Sequence, residues 1–533
     1  MTKINPDKKV YEYIVFAINA LLLSFGYILF QKNYLTESDS SEVLFSGLRT
    51  AAFIGVSICV FLVFVICSIG TTRKKYELFI EKIGTHPLLT VVLVSAIFRI
   101  WYLSHFSKYV IYYDTKTYTN FPYNIFLGET DIFRTPGYPY FLKLIHYITG
   151  NPEGNIEFYQ SVSFFQSVLS LISIVILYMA GRKLFSNKYI LSFACLVYGI
   201  APAVFNWDVI TLTETLSLFC TVVLIYLVFS YLAKPTVVKA VILGLYVFVM
   251  IMVRPTFVYL FGVLGVFFVA RLIFNSNDRK RALAGILSLL MSVALFFGYC
   301  GLNYKNYNYF KVSSVSNDVN NLYIVLINGW FHNEDYPEMS EYLENQMEFY
   351  QDDNWITNII EPLPERYGYS KIDKYVTDCI AKHKTEYYKY TAKKFLNLAN
   401  EKIAVQYVPY TESDSLESFN NFSKAFVKYS MPFSFLDCFW LVVIGVAFSL
   451  VALIKKKRIC WHILGLCAII FSHIFVSVFG AMAEFSRLSS MVIPAVVLLV
   501  FYIIDYCFKA AKKRSFFCLN DNNSTEIQIS KSK

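Results

Sequence analysis

The stretch SVSFFQSVLSLISIVILYMAGRKLF, Ser161–Phe185, decides the class of fold. From about residue 159 to 180 it carries no formal charge, and Arg182, Lys183 and Lys188 follow closely. An apolar run of about 20 residues, wound as helix, crosses a bilayer core of about 30 Å. Basic residues beside such a run mark its cytoplasmic end. Outward from this stretch the pattern repeats. Apolar segments fall near residues 12–30, 45–69, 87–105, 159–180, 189–205, 211–232, 237–253, 255–274, 283–302, 432–454, 460–481 and 489–508. The expectation is an all-α polytopic membrane protein of about twelve transmembrane helices.

Composition agrees. Of 533 residues, 56% are hydrophobic and only 16% charged, with a mean hydropathy of +0.48; a soluble enzyme of this length needs more charge. The formal net charge, 48 − 38 = +10, sits in short clusters between spans, so topology explains it and no nucleic-acid partner is implied. The eleven cysteines lie mostly inside apolar runs, as at Cys59, Cys67, Cys195, Cys220 and Cys467, with no CxxC spacing and no disulfide framework. The run near 12–30 follows Lys3, Lys8 and Lys9 and lacks a small-x-small cleavage site, so it reads as a retained first helix.

With the amino terminus inside and helices alternating, one assignment places every basic cluster in the cytoplasm: Arg73 to Lys82, Arg182 to Lys188, Lys234 and Lys239, Arg279 to Arg281, Lys455 to Arg458, and the tail from Lys509 to Arg514. Both termini are then cytoplasmic, and two hydrophilic segments face outward, residues 106–158 and 303–431. The expected organisation is a two-helix extension at 1–86, a transmembrane core at 87–302, an extracytoplasmic domain at 303–431, carboxy-terminal transmembrane helices at 432–510 and a polar tail at 511–533.

Charge in or beside an apolar span is costly and marks candidate function. Here it gathers at the outward ends: Arg99, Glu214, Arg254, Glu484 and Arg487, joined by Asp114, Lys116, Asp131 and Arg134 of the first outward loop. That loop reads Tyr112-Tyr113-Asp114-Thr115-Lys116-Thr117-Tyr118, then Phe133-Arg134-Thr135-Pro136-Gly137-Tyr138-Pro139. The two prolines with glycine between them fix a turn that can aim Arg134. A guanidinium there suits a phosphate, and an aspartate suits a general base. The competing readings are a solvated loop residue for Asp114, an interfacial anchor for Arg134 or Arg254, a polar helix start for Glu214, a local pair for Glu484 and Arg487 and a hydrogen-bonded core histidine for His473.

An Asp-x-x-x-Tyr in the first outward loop, followed by Arg-x-Pro-x-x-Pro entering a helix, resembles the GT-C integral-membrane glycosyltransferases, in particular the branch akin to the lipid A aminoarabinose transferase and the protein O-mannosyltransferases. The order of later elements is similar: Gly181-Arg182-Lys183-Leu184-Phe185, Ala201-Pro202 with Leu212-Thr213-Glu214, Val253-Arg254-Pro255, Asn303-Tyr304 with Ser313-Ser314, and Glu484-Phe485-Ser486-Arg487. The likeness covers about 87–310 well and 480–500 weakly. It departs where relatives often carry Glu and Arg after the first Asp; here Thr115 and Thr117 stand instead.

The resemblance implies an inverting transferase that moves a sugar from a polyprenyl-phosphate donor to a hydroxyl of a glycan, lipid or protein. Asp114 and Glu214 would be catalytic; Lys116, Arg134, Arg254 and Arg487 would hold the donor phosphate; Tyr118 and Tyr138 would position substrate. No tightly bound cofactor and no metal ligands are expected, the need for a divalent ion being left open. The implied partners are membrane lipid, the lipid-linked donor and the acceptor. A bacterial cytoplasmic membrane is the expected location, favoured over its eukaryotic counterpart, the endoplasmic reticulum, because the chain is rich in Lys, Ile, Asn and Tyr and its outward domain offers one sequon, Asn421-Phe422-Ser423. A surface-polysaccharide polymerase or ligase fits the layout but not the ordered Asp114, Arg134, Glu214 series. A lipid-linked sugar flippase would want polar midplane residues and internal symmetry, and neither is evident.

Overall fold

The computed structural model describes residues 87–509, except 106–107, 113, 122–123, 350–355, 403–416, 432, 457–458, 482–483 and 508. The expected helices at 12–30 and 45–69 and the tail at 511–533 therefore lie outside the described residues. Within them the fold is helical, and only isolated bridges join extended residues: Val110 with Ile210, and Lys402 with Ser434.

In chain order the helices that matter here are α1 (Pro87–Leu103), α2 (Thr115–Thr119), α3 (Gly137–Thr149), α4 (Ile156–Gly181), α5 (Lys188–Ile200), α6 (Glu214–Ala233), α7 (Val237–Val253), α8 (Pro255–Phe274), α9 (Arg279–Tyr307), α10 (Tyr369–Lys382), α11 (Lys384–Asn397), α12 (Phe435–Lys456), α13 (Trp461–Gly480) and α14 (Phe485–Cys507). Seven helices among the described residues are long and apolar enough to cross a membrane: α4, α6, α8, α9, α12, α13 and α14. The run expected at 189–205 is not one straight helix. It is a pair, α5 and Pro202–Val209, bent by 55°, because Pro202 has no N–H to donate and holds Ala201 in extended backbone. The segments expected at 87–105 and 237–253 are the shorter apolar helices α1 and α7, 17 residues each; by length and composition, seven helices among the described residues, or eight with the bent pair, are candidate spans.

The helices bury a shared apolar interior that includes Tyr198, Leu243, Val247, Phe257, Leu466, Ile470 and Val496. Their other faces are apolar as well, with Ile97, Leu287, Met291, Phe297, Ile444 and Leu450 exposed. Apolar surface on this scale is covered by a bilayer, and the protein is an integral membrane protein. Residues between α9 and α12 build a second, separate cluster around Leu322, Val325, Leu343, Ile359, Ile372, Tyr375 and Val376.

Two features set the site. Gly137 begins α3 where an added Cβ would stand 2.6 Å from the Met252 carbonyl oxygen and 2.7 Å from Val253 N, so only glycine lets this turn reach the end of α7 beside Arg254. The segment 206–213 lies under the first loop: Val110 N–H donates to the Val209 carbonyl (2.7 Å), Thr211 N–H to the Val110 carbonyl (3.3 Å) and Thr115 Oγ1 to the Thr211 carbonyl (3.1 Å).

Candidate active site

Four separated segments deliver charged side chains to one place. Asp114 precedes α2, yet its carboxylate makes no cap bond to that helix and turns to Arg134 Nη2 at 2.9 Å. Glu214 is the first residue of α6, where the helix dipole favours a carboxylate. Its Oε1 lies 3.1 Å from Arg254 Nη1 and 2.7 Å from Arg487 Nε. Arg254 ends α7, where Pro255 stops the helix, and Arg487 lies in the first turn of α14. Arg487 also meets Glu484 at 2.8 Å and Asp114 at 3.5 Å. One guanidinium thus touches three carboxylates, from the first loop, the start of α6 and its own turn.

Burial differs across the network. The Glu214 side chain is fully covered and Arg254 and Arg487 are 9% exposed, whereas Asp114 is 30% and Glu484 50% exposed. A covered carboxylate holding two guanidiniums is a fixed point, since removing one partner of a buried pair costs about 3–5 kcal/mol. Its second oxygen, Oε2, is buried without a hydrogen-bond partner.

Arg134 is positioned without help from Asp114. Its Nε donates to Thr117 Oγ1 at 2.7 Å, and its guanidinium lies 4.4 Å from the Tyr118 ring centre. Its turn is shaped by Asp131, whose carboxylate accepts from Phe133 N–H (2.6 Å) and Arg134 N–H (3.4 Å). Burial pushes the Asp131 carboxyl up, against the lowering effect of those two N–H groups. Burial also opposes the charge on Arg134, yet Tyr118 and Asp114 beside it raise the guanidinium above its ordinary value. The segment after α9 grips the same turn: Ser313 Oγ donates to the Phe133 carbonyl (2.8 Å) and Ser314 N–H to the Ile132 carbonyl (2.9 Å).

The remaining expected residues lie differently. Lys116 is exposed on α2, apart from these ion pairs. Tyr118 is buried under Arg134, and its ring meets Tyr138 edge-on at 5.2 Å. Tyr138 is fully covered, and its hydroxyl donates to Gln166 Oε1 at 2.9 Å. His473 is buried with Nε2 2.9 Å from the Leu488 carbonyl oxygen. Among the described residues, no three His, Cys, Asp or Glu side chains are grouped as a metal ion would require; each carboxylate of the network faces a guanidinium.

Sequence reasoning missed two buried residues that shape the site. Gln166, inside α4, donates to the carbonyls of Asp208 (3.0 Å) and Ile210 (2.8 Å) while accepting from Tyr138. Asp208 pairs with Arg99 Nη1 at 3.4 Å and accepts from Thr215 Oγ1 at 3.0 Å. Together they fix the segment on which the Asp114 loop rests. The available signal was Arg99 itself, a buried charge that needed a partner.

Residues 134–304 match the family model described as dolichyl-phosphate-mannose-protein mannosyltransferase. This match bears out the resemblance to the GT-C membrane glycosyltransferases over the core that carries Arg134, Glu214 and Arg254. No curated protein sequence matches the chain. Among solved structures it is similar to the archaeal oligosaccharyltransferase AglB from Archaeoglobus fulgidus in complex with an inhibitory peptide and a dolichol-phosphate, at 12% identity and a TM-score of 0.43, covering 81% of this chain and 52% of that one. The apo form of the Archaeoglobus fulgidus oligosaccharyltransferase matches at 13% identity and a TM-score of 0.43, covering 80% and 52%. The chain spans about half the length of these proteins.

Proposed function

We propose that the protein is an inverting glycosyltransferase that moves a sugar from a polyprenyl phosphate to an acceptor hydroxyl at the outward face of a bacterial cytoplasmic membrane. The observation that carries this reading is the meeting of Asp114, Arg134, Glu214, Arg254 and Arg487, five residues from four separated segments, in one ion-pair network. A purely structural origin would require each segment to place its charge here without use for it.

Asp114 takes the acceptor proton as the acceptor oxygen attacks the anomeric carbon. The bond from that carbon to the phosphate oxygen breaks, and the polyprenyl phosphate leaves with the bonding pair. Arg134 and Arg487 stabilise the charge that gathers on the departing phosphate. Glu214 holds Arg254 and Arg487 in place. Lys116, exposed on α2, draws the anionic headgroup in, and Tyr118 with Tyr138 form the wall behind Arg134. The acceptor is a glycan, lipid or protein of the envelope.

Mass spectrometry of envelope glycans from cells with and without the protein tests this. The expected result is one sugar type missing from one class of glycan, lipid or protein. Identical profiles would contradict the reading.

A further inference from the structure

The network is charge-balanced before any substrate arrives. Three guanidiniums, Arg134, Arg254 and Arg487, face three carboxylates, Asp114, Glu214 and Glu484. A phosphate entering so covered a site must displace a carboxylate, because adding an unmatched charge there is costly.

The geometry singles out which carboxylate yields. Glu214 is fully covered and holds two arginines. Glu484 sits three residues from Arg487 on the same turn and stays beside it whatever happens in the loop. Asp114 is partly exposed, makes no cap bond to α2, and has its second contact, to Arg487, at 3.5 Å. Arg134 keeps Thr117 and the Tyr118 ring when Asp114 leaves. Arg487 likewise keeps Glu214 and Glu484. Only Asp114 has to move.

We propose that the donor phosphate binds by ion-pair exchange, taking Arg134 and one donor of Arg487 from Asp114, and that this exchange frees Asp114 to serve as base. The proposal rests on the transferase reading above and adds an order to it. Until the phosphate has arrived, both carboxylate oxygens of Asp114 face guanidiniums, Oδ1 that of Arg134 and Oδ2 that of Arg487, so the donor binds first and the acceptor second. The exchange itself makes and breaks no covalent bond. It also guards the donor, since the base is unmasked only when a phosphate occupies the arginines.

This order predicts a result opposite to that for a simple binding residue: removing a site carboxylate tightens phosphate binding. The test is titration of the purified full chain with a polyprenyl monophosphate at fixed salt. Asp114→Asn is expected to bind it about tenfold tighter than the wild type, because the apparent affinity no longer carries the cost of opening the pair. Glu484→Gln, at a half-exposed position, is expected to bind about threefold tighter for a different reason, since Arg487 then faces one carboxylate fewer and offers more of its charge to the phosphate, and it serves as the second variant should Asp114→Asn fold poorly. Arg134→Ala is expected to bind at least tenfold weaker. Unchanged or weaker binding by both carboxylate variants overturns the exchange while leaving the transferase reading standing. Absence of binding by the wild type and by every variant overturns both.

Discussion

Arg487 is the residue on which the network turns, because it alone joins the first loop, the start of α6 and its own turn. A guanidinium presents a planar fork of donors, whereas an ammonium is a point charge on a flexible stem. Arg487→Lys keeps the charge and loses the fork, and it is expected to lower the initial rate of sugar transfer by about 10²-fold; a rate within twofold of wild type would contradict the role given to the fork. At this scale much of the site was legible in the sequence. Asp114, Arg134, Glu214, Arg254 and Arg487 stand out because charge beside an apolar span is costly, and all five meet. Asp208 and Gln166 were not legible. Asp208 falls in the short interval between two apolar runs and looks like a connector, and Gln166 is one polar residue in an otherwise apolar helix. Their meaning comes from the 55° bend after Ala201, which turns 206–213 back under the first loop. Lys116 carries a charge as conspicuous as the others, yet it points to solvent, which spacing on so short a helix could not decide.

At the scale of elements, two contacts hold the site together. The first is the close approach of α3 to the end of α7 at Gly137, where an added methyl meets backbone atoms that cannot rotate away. Gly137→Ala is expected to destabilise the protein by about 1–3 kcal/mol and to lower transfer, read as a fall in the thermal midpoint together with the rate; an unchanged midpoint would contradict the contact. The second is the grip on residues 480–481 and 484–487, the strap that carries Glu484 and Arg487. Asn320 Nδ2 donates to the Gly480 carbonyl (2.8 Å), Lys394 Nζ on α11 to the Ala481 carbonyl (2.5 Å), and Ser486 Oγ to the Lys402 carbonyl (2.7 Å). Lys394 also lies 4.7 Å from the Phe485 ring centre. Burial pushes its ammonium down to about 8, below the unfolded value of about 10.4. Between these two values the unfolded chain binds more protons than the folded one, so stability rises with pH across that window, and the cost of burying the charge is fully present below pH 8. Lys394→Met removes the titrating group. The thermal midpoint of the wild type relative to this variant is expected to climb from pH 8 to 10, and parallel curves would contradict the burial of the charge. The sequence set residues 303–431 apart as a domain, but not that they would fasten the strap, since the bonds go to backbone carbonyls, which every residue possesses.

For the whole molecule, apolar runs and basic clusters made the membrane character plain, and the family match over residues 134–304 agrees with it. The periodicity of apolar runs overstated the uniformity of the spans. One is broken at Pro202, whose bend places 206–213 under the first loop, and α1 and α7 are shorter than the other apolar helices. The orientation rests on the positive-inside rule and makes a direct prediction. In a cysteine-free background, Lys116→Cys is expected to react with a membrane-impermeant maleimide in intact cells, and Lys280→Cys only after permeabilisation. The reverse pattern would place the network on the cytoplasmic face and contradict the proposed location.

The most direct test is single-turnover transfer of labelled sugar from a polyprenyl phosphate by the purified protein and by Asp114→Asn, with polyprenyl phosphate binding measured on the same samples. The account predicts that the variant loses about 10²- to 10⁴-fold in rate while it still binds the lipid phosphate. Transfer by Asp114→Asn at the wild-type rate would contradict it.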